Sequence, residues 1–306
     1  MPHAAVNGPS VVSQEDLDML GIFSGGLGGL VAGRRDRLLS RLTWYPEPAW
    51  LTAVRIPADR LPECANQWSA PLAEQGAVKV LLDRALSNGE FIGLGRTLGE
   101  LIPEQAPAVR PFVDDDVILN LRTALDATAD VDLQPFAENF ITLHTESSLQ
   151  PVAEQPKYLA FTCLVAPEPD SGGQTLLLHM ASPADRLDPG DVEVLAQVGY
   201  VNGSHPFCRR VDGRLVFCFR DHGETPLRWR CDAAGLSEDR VNRAIEALLL
   251  ALYDPSDLAG VHWEPETLVV LDNTFLLHGR SRSPRRAAAM PRHIRRLRIR
   301  SAGGVS

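Results

Sequence analysis

The stretch that decides the fold reads Phe-Ile-Thr-Leu-His-Thr-Glu and occupies positions 140–146. If it forms a β-strand, its side chains alternate between two faces, so His144 and Glu146 point to the same side. An imidazole and a carboxylate held side by side are two corners of a metal site. A third ligand would complete a facial triad, which holds one side of a metal ion and leaves the other positions open.

The pair alone is weak evidence for a metal. With 8 His and 39 acidic residues among 306, about one such spacing is expected by chance. The chain has three: His144/Glu146, His222/Glu224 and His262/Glu264. Taken by itself, the first pair is better explained as two polar residues on a surface strand.

Composition excludes several classes of function. The net charge of −9 argues against a protein that binds nucleic acid or anionic membranes, because such binding needs a basic surface. Five cysteines, an odd number without Cys-x-x-Cys spacing, argue against a disulfide framework or a structural zinc site. No secretory signal and no apolar run of membrane-spanning length is visible, so we expect a cytoplasmic protein with a small-molecule substrate. The oligomeric state is left open.

Hydrophobic spacing predicts a mainly β fold with flanking helices. Helices are expected over 59–75, 77–86, 183–198 and 237–253, and short strands over 91–94, 140–146, 158–165, 175–179, 215–220, 267–271, 275–280 and 293–300. Many short strands without strand–helix alternation indicate a sandwich or barrel. We expect one domain over 1–306, with a helical flank and first strands before about residue 130. The β core would fill 131–300, with a helical insertion near 237–253.

A second group of polar residues lies near the end of the chain. His278 sits on a predicted strand 134 positions after His144, and Arg292 and Arg296 follow on the next strand with even spacing. Even spacing places both arginines on one strand face. Buried arginines need anionic partners, and a dicarboxylate cofactor would supply one.

Several motifs in order resemble the iron(II)/2-oxoglutarate-dependent dioxygenases, specifically the taurine dioxygenase and clavaminate synthase-like group. The resemblance covers roughly residues 91–300. It rests on His144-x-Glu146, the proline-led strand at 156–164, Gly172-Gly173-x-Thr175, the Asp-Asn-x-x-x-x-His-Gly-Arg segment at 272–280, and two later arginines. It implies a double-stranded β-helix, that is, a jelly-roll, cupin-like core.

The resemblance also implies roles for individual residues. His144, Glu146 and His278 would bind Fe(II), and Thr175 and Arg292 would bind the far carboxylate of 2-oxoglutarate. Asp221 lies where clavaminate synthase-like enzymes place a carboxylate that grips a substrate amino or guanidino group, although a turn-forming role is the alternative. Arg296 is predicted either to face the substrate or to form an ion pair at the barrel mouth.

The function expected from the resemblance is hydroxylation of an unactivated C–H bond, with Fe(II), 2-oxoglutarate and O2 as cofactors. The substrate would be a small polar molecule, a free amino acid or its derivative, in specialised metabolism such as antibiotic biosynthesis. Desaturation or ring closure would use the same residues. From a different class, the chain would be a catalytically idle jelly-roll that binds a small ligand.

Overall fold

The computed structural model describes residues 20–24, 29–223, 225–231, 233, 235–285 and 290–301. Its strands are β1 Leu20–Phe23, β2 Ala53–Arg55, β3 Ala77–Leu81, β4 Gly99–Leu101, β5 Val113–Asp114, β6 Ile118–Arg122, β7 Ile141–His144, β8 Tyr158–Val165, β9 Thr175–His179, β10 Val198–Tyr200, β11 Cys208–Val211, β12 Arg214–Phe217, β13 Leu227–Cys231, β14 Ala259–Gly260, β15 Thr267–Asp272, β16 Leu276–Arg280 and β17 His293–Ser301. Its α-helices are α1 Leu30–Leu39, α2 Ala65–Gln75, α3 Asn88–Leu98, α4 Ala181–Arg186, α5 Pro189–Leu195 and α6 Glu238–Leu252. No helix in these ranges is long and apolar enough to cross a membrane.

Two sheets form the core. The larger has the order β2-β3-β15-β8-β17-β6-β5, with β4 also pairing with β17, and the smaller has the order β14-β9-β16-β7. Their facing sides share one apolar cluster, in which Phe161 and Ile294 of the large sheet meet Leu177 and Leu276 of the small sheet. Two packed, mainly antiparallel sheets with crossovers between them form the predicted jelly-roll.

Helices cover the outer faces of both sheets. Trp68 of α2 and Phe91 of α3 pack with Val78 and Val80 of the large sheet. On the other side, α6 and the β1-β13-β10 sheet cover the outer face of the small sheet. The helix predicted over 237–253 is confirmed as α6, whose cap is Ser237: its hydroxyl oxygen accepts a hydrogen bond from the Arg240 N–H.

Two predictions before residue 100 are wrong. Residues 77–81 form the buried strand β3 instead of a helix, because β2 and β15 pair with its two edges and apolar layers cover both faces. Residues 91–94 belong to α3 instead of a strand. A capping box starts that helix, in which Ser87 accepts from the Glu90 N–H and Glu90 accepts from the Ser87 N–H.

The remaining strand predictions agree more closely with the structure. β8 and β9 coincide with the predicted 158–165 and 175–179, and the strands expected around His278 and Arg296 are β16 and β17. The helix expected over 59–75 is confirmed only from Ala65 onward, and the one over 183–198 is divided into α4 and α5. The single domain with a division near residue 130 stays a prediction.

Candidate metal centre and active site

His144 and His278 lie opposite each other on paired strands of the small sheet. They are register partners in β7 and β16, and their ring centroids are 4.2 Å apart. Oε2 of Glu146 lies 3.9 Å from Nε2 of His144 and 3.8 Å from Nε2 of His278. One ligand atom from each residue lies within 4.8 Å of the others, so one metal ion is within reach of all three.

Glu146 reaches the two histidines by a different route from the predicted one. The strand ends at His144, and Glu146 lies in the turn that follows, so the alternation argument is wrong although the side chains meet. Asn273, between β15 and β16, holds this turn. Its Oδ1 accepts from the Glu146 N–H at 2.9 Å, and its Nδ2 donates to the Glu146 carbonyl oxygen at 3.2 Å.

The electrostatics keep the three groups in metal-binding forms. Burial lowers the pKa of His144 well below its usual value and that of His278 to about 4, so both imidazoles are neutral at pH 7. Burial alone would raise the pKa of Glu146, but the guanidinium groups of Arg296 and Arg298 outweigh it and lower this pKa to about 2. The carboxylate is therefore ionised.

Arg296 is part of an ion-pair network. Its Nη1 donates to Glu146 at 2.9 Å and its Nη2 donates to Glu104 at 2.8 Å. Arg298 donates to the other oxygen of Glu104 at 2.8 Å. Of the two roles that the sequence leaves open for Arg296, the structure shows the ion pair.

Arg292 and Thr175 lie together in the same cavity as the three ligands, which has a volume of about 650 Å³. Only 5% of Arg292 is exposed, and burial lowers its pKa to about 10. Its Nε has no hydrogen-bond partner, and no carboxylate among the described residues pairs with it. The Thr175 hydroxyl oxygen accepts from Nε1 of Trp263 at 3.1 Å, which fixes the hydroxyl in the wall of the same cavity. A buried, unpaired guanidinium favours an anionic ligand.

Gly173 is required beside Arg292, which gives a first testable prediction. Its φ is +72°, and an added Cβ would lie 2.7 Å from Oγ of Ser283 and 3.2 Å from Cδ of Arg292. We expect Gly173→Ala to lower the free energy of unfolding by about 2–3 kcal/mol and to weaken anion binding at Arg292. Gly213→Ala is the matched control, because φ is +78° there and nothing lies within 4 Å. Equal losses in chemical denaturation would contradict the steric argument.

Arg280, which lines the cavity, binds the main chain of the segment 134–139. Its Nη1 donates to the carbonyl oxygen of Pro135 at 2.8 Å, and its Nη2 donates to those of Gln134 at 3.1 Å, Ala137 at 2.6 Å and Asn139. Burial lowers its pKa well below the usual value. The head group of Arg280 is thus occupied by main-chain oxygens.

The structure does not bring Asp221 to the metal cavity. Its neighbours Arg220 and His222 line that cavity, whereas Asp221 points away from it. One oxygen of Asp221 accepts from the Tyr253 hydroxyl at 2.9 Å and lies 3.4 Å from Nη1 of Arg35, whose side chain is 1% exposed. These contacts give the carboxylate a structural partner and leave the predicted grip on a cationic substrate without geometric support.

Asp221→Asn separates the two roles. We expect this variant to lower the free energy of unfolding by about 2–4 kcal/mol, because the buried Arg35 guanidinium then keeps only the half-exposed Asp36 carboxylate as a counter-charge. Tyr253→Phe, which removes one hydrogen bond and no charge, should cost about 1 kcal/mol. Unchanged thermal stability in Asp221→Asn together with lost substrate binding would restore the substrate role.

Comparison with known proteins decides the family. Residues 57–298 match the model described as the taurine catabolism dioxygenase TauD, TfdA family. The chain belongs to this family. Membership confirms the resemblance seen in the sequence, and Fe(II), 2-oxoglutarate and O2 are the cofactors of the family.

Two curated relatives of this TauD/TfdA-family protein match in sequence. Tyrosine isonitrile desaturase from Pseudomonas aeruginosa is 27% identical over 185 residues, covering 54% of this chain and 60% of that protein. The 3-((Z)-2-isocyanoethenyl)-1H-indole synthase from Fischerella ambigua is 26% identical over 161 residues, covering 47% of this chain and 58% of that protein. The match thus spans somewhat less than two thirds of each relative.

The fold is also found among solved structures. One is PvcB, described as an Fe, alpha-ketoglutarate dependent oxygenase from an isonitrile synthetic pathway, with a TM-score of 0.54 and 22% identity. The similarity covers 80% of each chain. At this identity it supports the fold, in agreement with the two-sheet topology.

The residues of this TauD/TfdA-family protein fit the cofactors of the family. Two neutral imidazoles and one ionised carboxylate form the donor set that non-haem ferrous sites use. Arg292 with Thr175 offers a cation and a hydroxyl to a carboxylate, which matches one end of 2-oxoglutarate.

Several residues of the site were missed by the sequence analysis. Arg298 continues the even spacing of Arg292 and Arg296 and could have been found from that signal. Asn273 belongs to the Asp-Asn-x-x-x-x-His-Gly-Arg segment, but the sequence assigned no role to it. Glu104 lies far from the motifs in sequence, and no local pattern marks either Glu104 or Trp263.

Proposed function

We propose that this protein is a 2-oxoglutarate-dependent dioxygenase that oxidises a C–H bond of a small, amino-acid-derived substrate. His144, Glu146 and His278 would hold Fe(II), and Thr175 and Arg292 would bind 2-oxoglutarate. The observation that carries the proposal is one cavity that combines three convergent metal-binding side chains with an unpaired, buried guanidinium.

The protein's own part is to bind, to orient and to exclude water. When bound, Fe(II) with 2-oxoglutarate and O2 supplies a two-electron oxidant, and 2-oxoglutarate is converted to succinate and CO2. Nδ1 of His144 donates to the Thr142 carbonyl oxygen at 2.8 Å, which directs Nε2 toward the metal position. Arg292 and Thr175 orient the cofactor from its far end. Apolar side chains such as Phe161 line the remaining wall and keep the reacting groups dry.

The sequence predicts hydroxylation, and desaturation is the second candidate outcome. The name of the Pseudomonas aeruginosa relative, a tyrosine isonitrile desaturase, favours desaturation of an isonitrile-bearing amino-acid derivative. Both outcomes begin with removal of hydrogen from carbon and use the same residues.

One assay tests the activity and its outcome. Purified protein with Fe(II), 2-oxoglutarate and ascorbate is supplied with tyrosine isonitrile or with free amino acids, and succinate is measured with the product mass. Coupled succinate formation with loss of two hydrogens supports desaturation, and gain of one oxygen supports hydroxylation. No substrate-stimulated succinate with any of these compounds would favour the idle ligand-binding jelly-roll.

A further inference from the structure

The metal cavity is lined by an unusual concentration of cations. Six arginines face it: Arg220, Arg280, Arg292, Arg296, Arg298 and Arg300. Four of them already have protein partners: Arg280 donates to main-chain carbonyls, Arg296 and Arg298 pair with Glu104, and Arg300 lies 3.5 Å from Glu100. Arg292 is assigned to 2-oxoglutarate by the proposed function. That assignment leaves Arg220.

Arg220 is fixed at its backbone and free at its head group. Its N–H donates to the Tyr200 hydroxyl oxygen at 2.6 Å, and this hydroxyl lies 2.7 Å from the Arg220 carbonyl oxygen. Its main chain also forms a β-bridge with His144. Among the residues that the structure describes, none forms a hydrogen bond or ion pair with its guanidinium. A residue with a fixed backbone and an unpaired guanidinium is well suited to bind a ligand.

Arg220 lies close to the proposed metal position. Its main chain pairs with that of His144 in a β-bridge, and Arg220 lines the same cavity as His144 and His278. A group bound by Arg220 would therefore sit beside the metal on the side of the cavity that β7 borders.

The charge balance of the cavity favours an anion. Four carboxylates line it against the six arginines, namely Glu104, Asp132, Glu146 and Glu154. Glu100, which is outside the lining, pairs with Arg300, so the net charge is +1 with neutral histidines. Fe(II) and the 2-oxoglutarate dianion cancel each other. The excess positive charge is therefore available to bind an anionic substrate. Arg296 is not its source, because Glu104 and Glu146 neutralise this guanidinium.

We propose that Arg220 binds a carboxylate of the substrate and that the substrate class is a small monocarboxylate. This inference rests on the proposed function and specifies its substrate. A guanidinium can bind a carboxylate through two parallel N–H···O bonds, which fixes the orientation of the substrate as well as its charge. Arg220 thereby determines which carbon lies next to the metal.

Binding measurements test this assignment. The probes are tyrosine isonitrile and its primary amide, titrated calorimetrically into protein loaded with Fe(II) and 2-oxoglutarate without oxygen. Arg220→Gln should weaken binding of the acid about 10- to 100-fold, and Arg220→Lys should weaken it less. Binding of the amide should change by no more than about twofold. Arg300→Gln is the matched control, since it removes a paired, partly exposed cation from the same cavity and should leave acid binding within about twofold.

The outcomes are decisive in both directions. Loss of acid binding alone in Arg220→Gln, with thermal stability and uncoupled 2-oxoglutarate consumption retained, supports the assignment. Equal weakening for acid and amide, unchanged acid binding, or failure of the wild-type protein to bind the acid overturns it. If the acid binds through Arg220 but no succinate forms under oxygen, the proposed function fails and the carboxylate site stands.

Discussion

In His278→Ala, metal-dependent consumption of 2-oxoglutarate should fall at least about a hundredfold while the fold is retained. Removal of this imidazole leaves two ligands, His144 and Glu146, and it enlarges a cavity that is already present. Affinity for Co(II), followed by its visible absorption, gives the direct readout of the metal site. Circular dichroism reports the fold.

The control for this prediction is a histidine outside the site. His179 lies at the end of β9, and its Nδ1 accepts a hydrogen bond from the Ala181 N–H. His179→Ala should keep Co(II) affinity and turnover close to those of the wild-type protein. Full activity in His278→Ala would refute the ligand assignment.

The second large effect concerns Arg292. Arg292→Lys should raise the concentration of 2-oxoglutarate needed for half-maximal turnover about tenfold or more, because a lysine ammonium cannot reproduce the two-pronged contact with a carboxylate. Charge-assisted hydrogen bonds of this kind contribute about 1.5–3 kcal/mol. The same variant should bind Co(II) normally, because the arginines that pair with the metal-binding Glu146 are Arg296 and Arg298.

Arg296→Lys provides the comparison on the same strand. Its partners are Glu104 and Glu146, so this variant should alter metal affinity more than the requirement for 2-oxoglutarate. If Arg296→Lys raises the 2-oxoglutarate requirement and Arg292→Lys does not, Arg296 binds the far carboxylate of the cofactor in place of Arg292.

The sequence predicts the strands of the jelly-roll well wherever turn residues bound them. β8 and β9 are separated by a Gly-Gly turn with positive φ at Gly172 and Gly173, and their limits follow from that signal. β3 has such a signal only at its start, where Gly76 has a φ of +73°. It is buried on both faces, so its apolar residues do not alternate, and the spacing of Val78, Leu81 and Leu82 fits a helix equally well.

α3 illustrates a signal that was present and overlooked. Ser87 followed three positions later by Glu90 is a capping box, which predicts a helix start, but a strand was predicted over 91–94. The two glycines at 93 and 95 also lower helix propensity. Gly95 is needed there, because an added Cβ would lie 2.6 Å from Leu101 and 2.9 Å from Leu297.

The site was predictable where its residues are close in sequence or lie on a motif. His144, Glu146, His278, Thr175 and Arg292 all line one cavity, as the motifs imply. The partners that tune them come from distant segments that only the folded chain brings together. No spacing rule connects residue 104 with residue 296, or residue 263 with residue 175.

Asn273 fixes the backbone at position 146 independently of the side chain that this position carries. The Asn273 side chain contacts Glu146 through its main-chain N–H and carbonyl oxygen alone, and it also donates to the Pro156 carbonyl oxygen. The backbone of the turn is therefore held whatever side chain projects from position 146. The coordination shell could therefore be redesigned at this one position, by a shorter acid or by a residue with no donor atom, while His144 and His278 keep their places. Such exchange would let one scaffold accommodate a different number of exogenous ligands on the metal without a new fold.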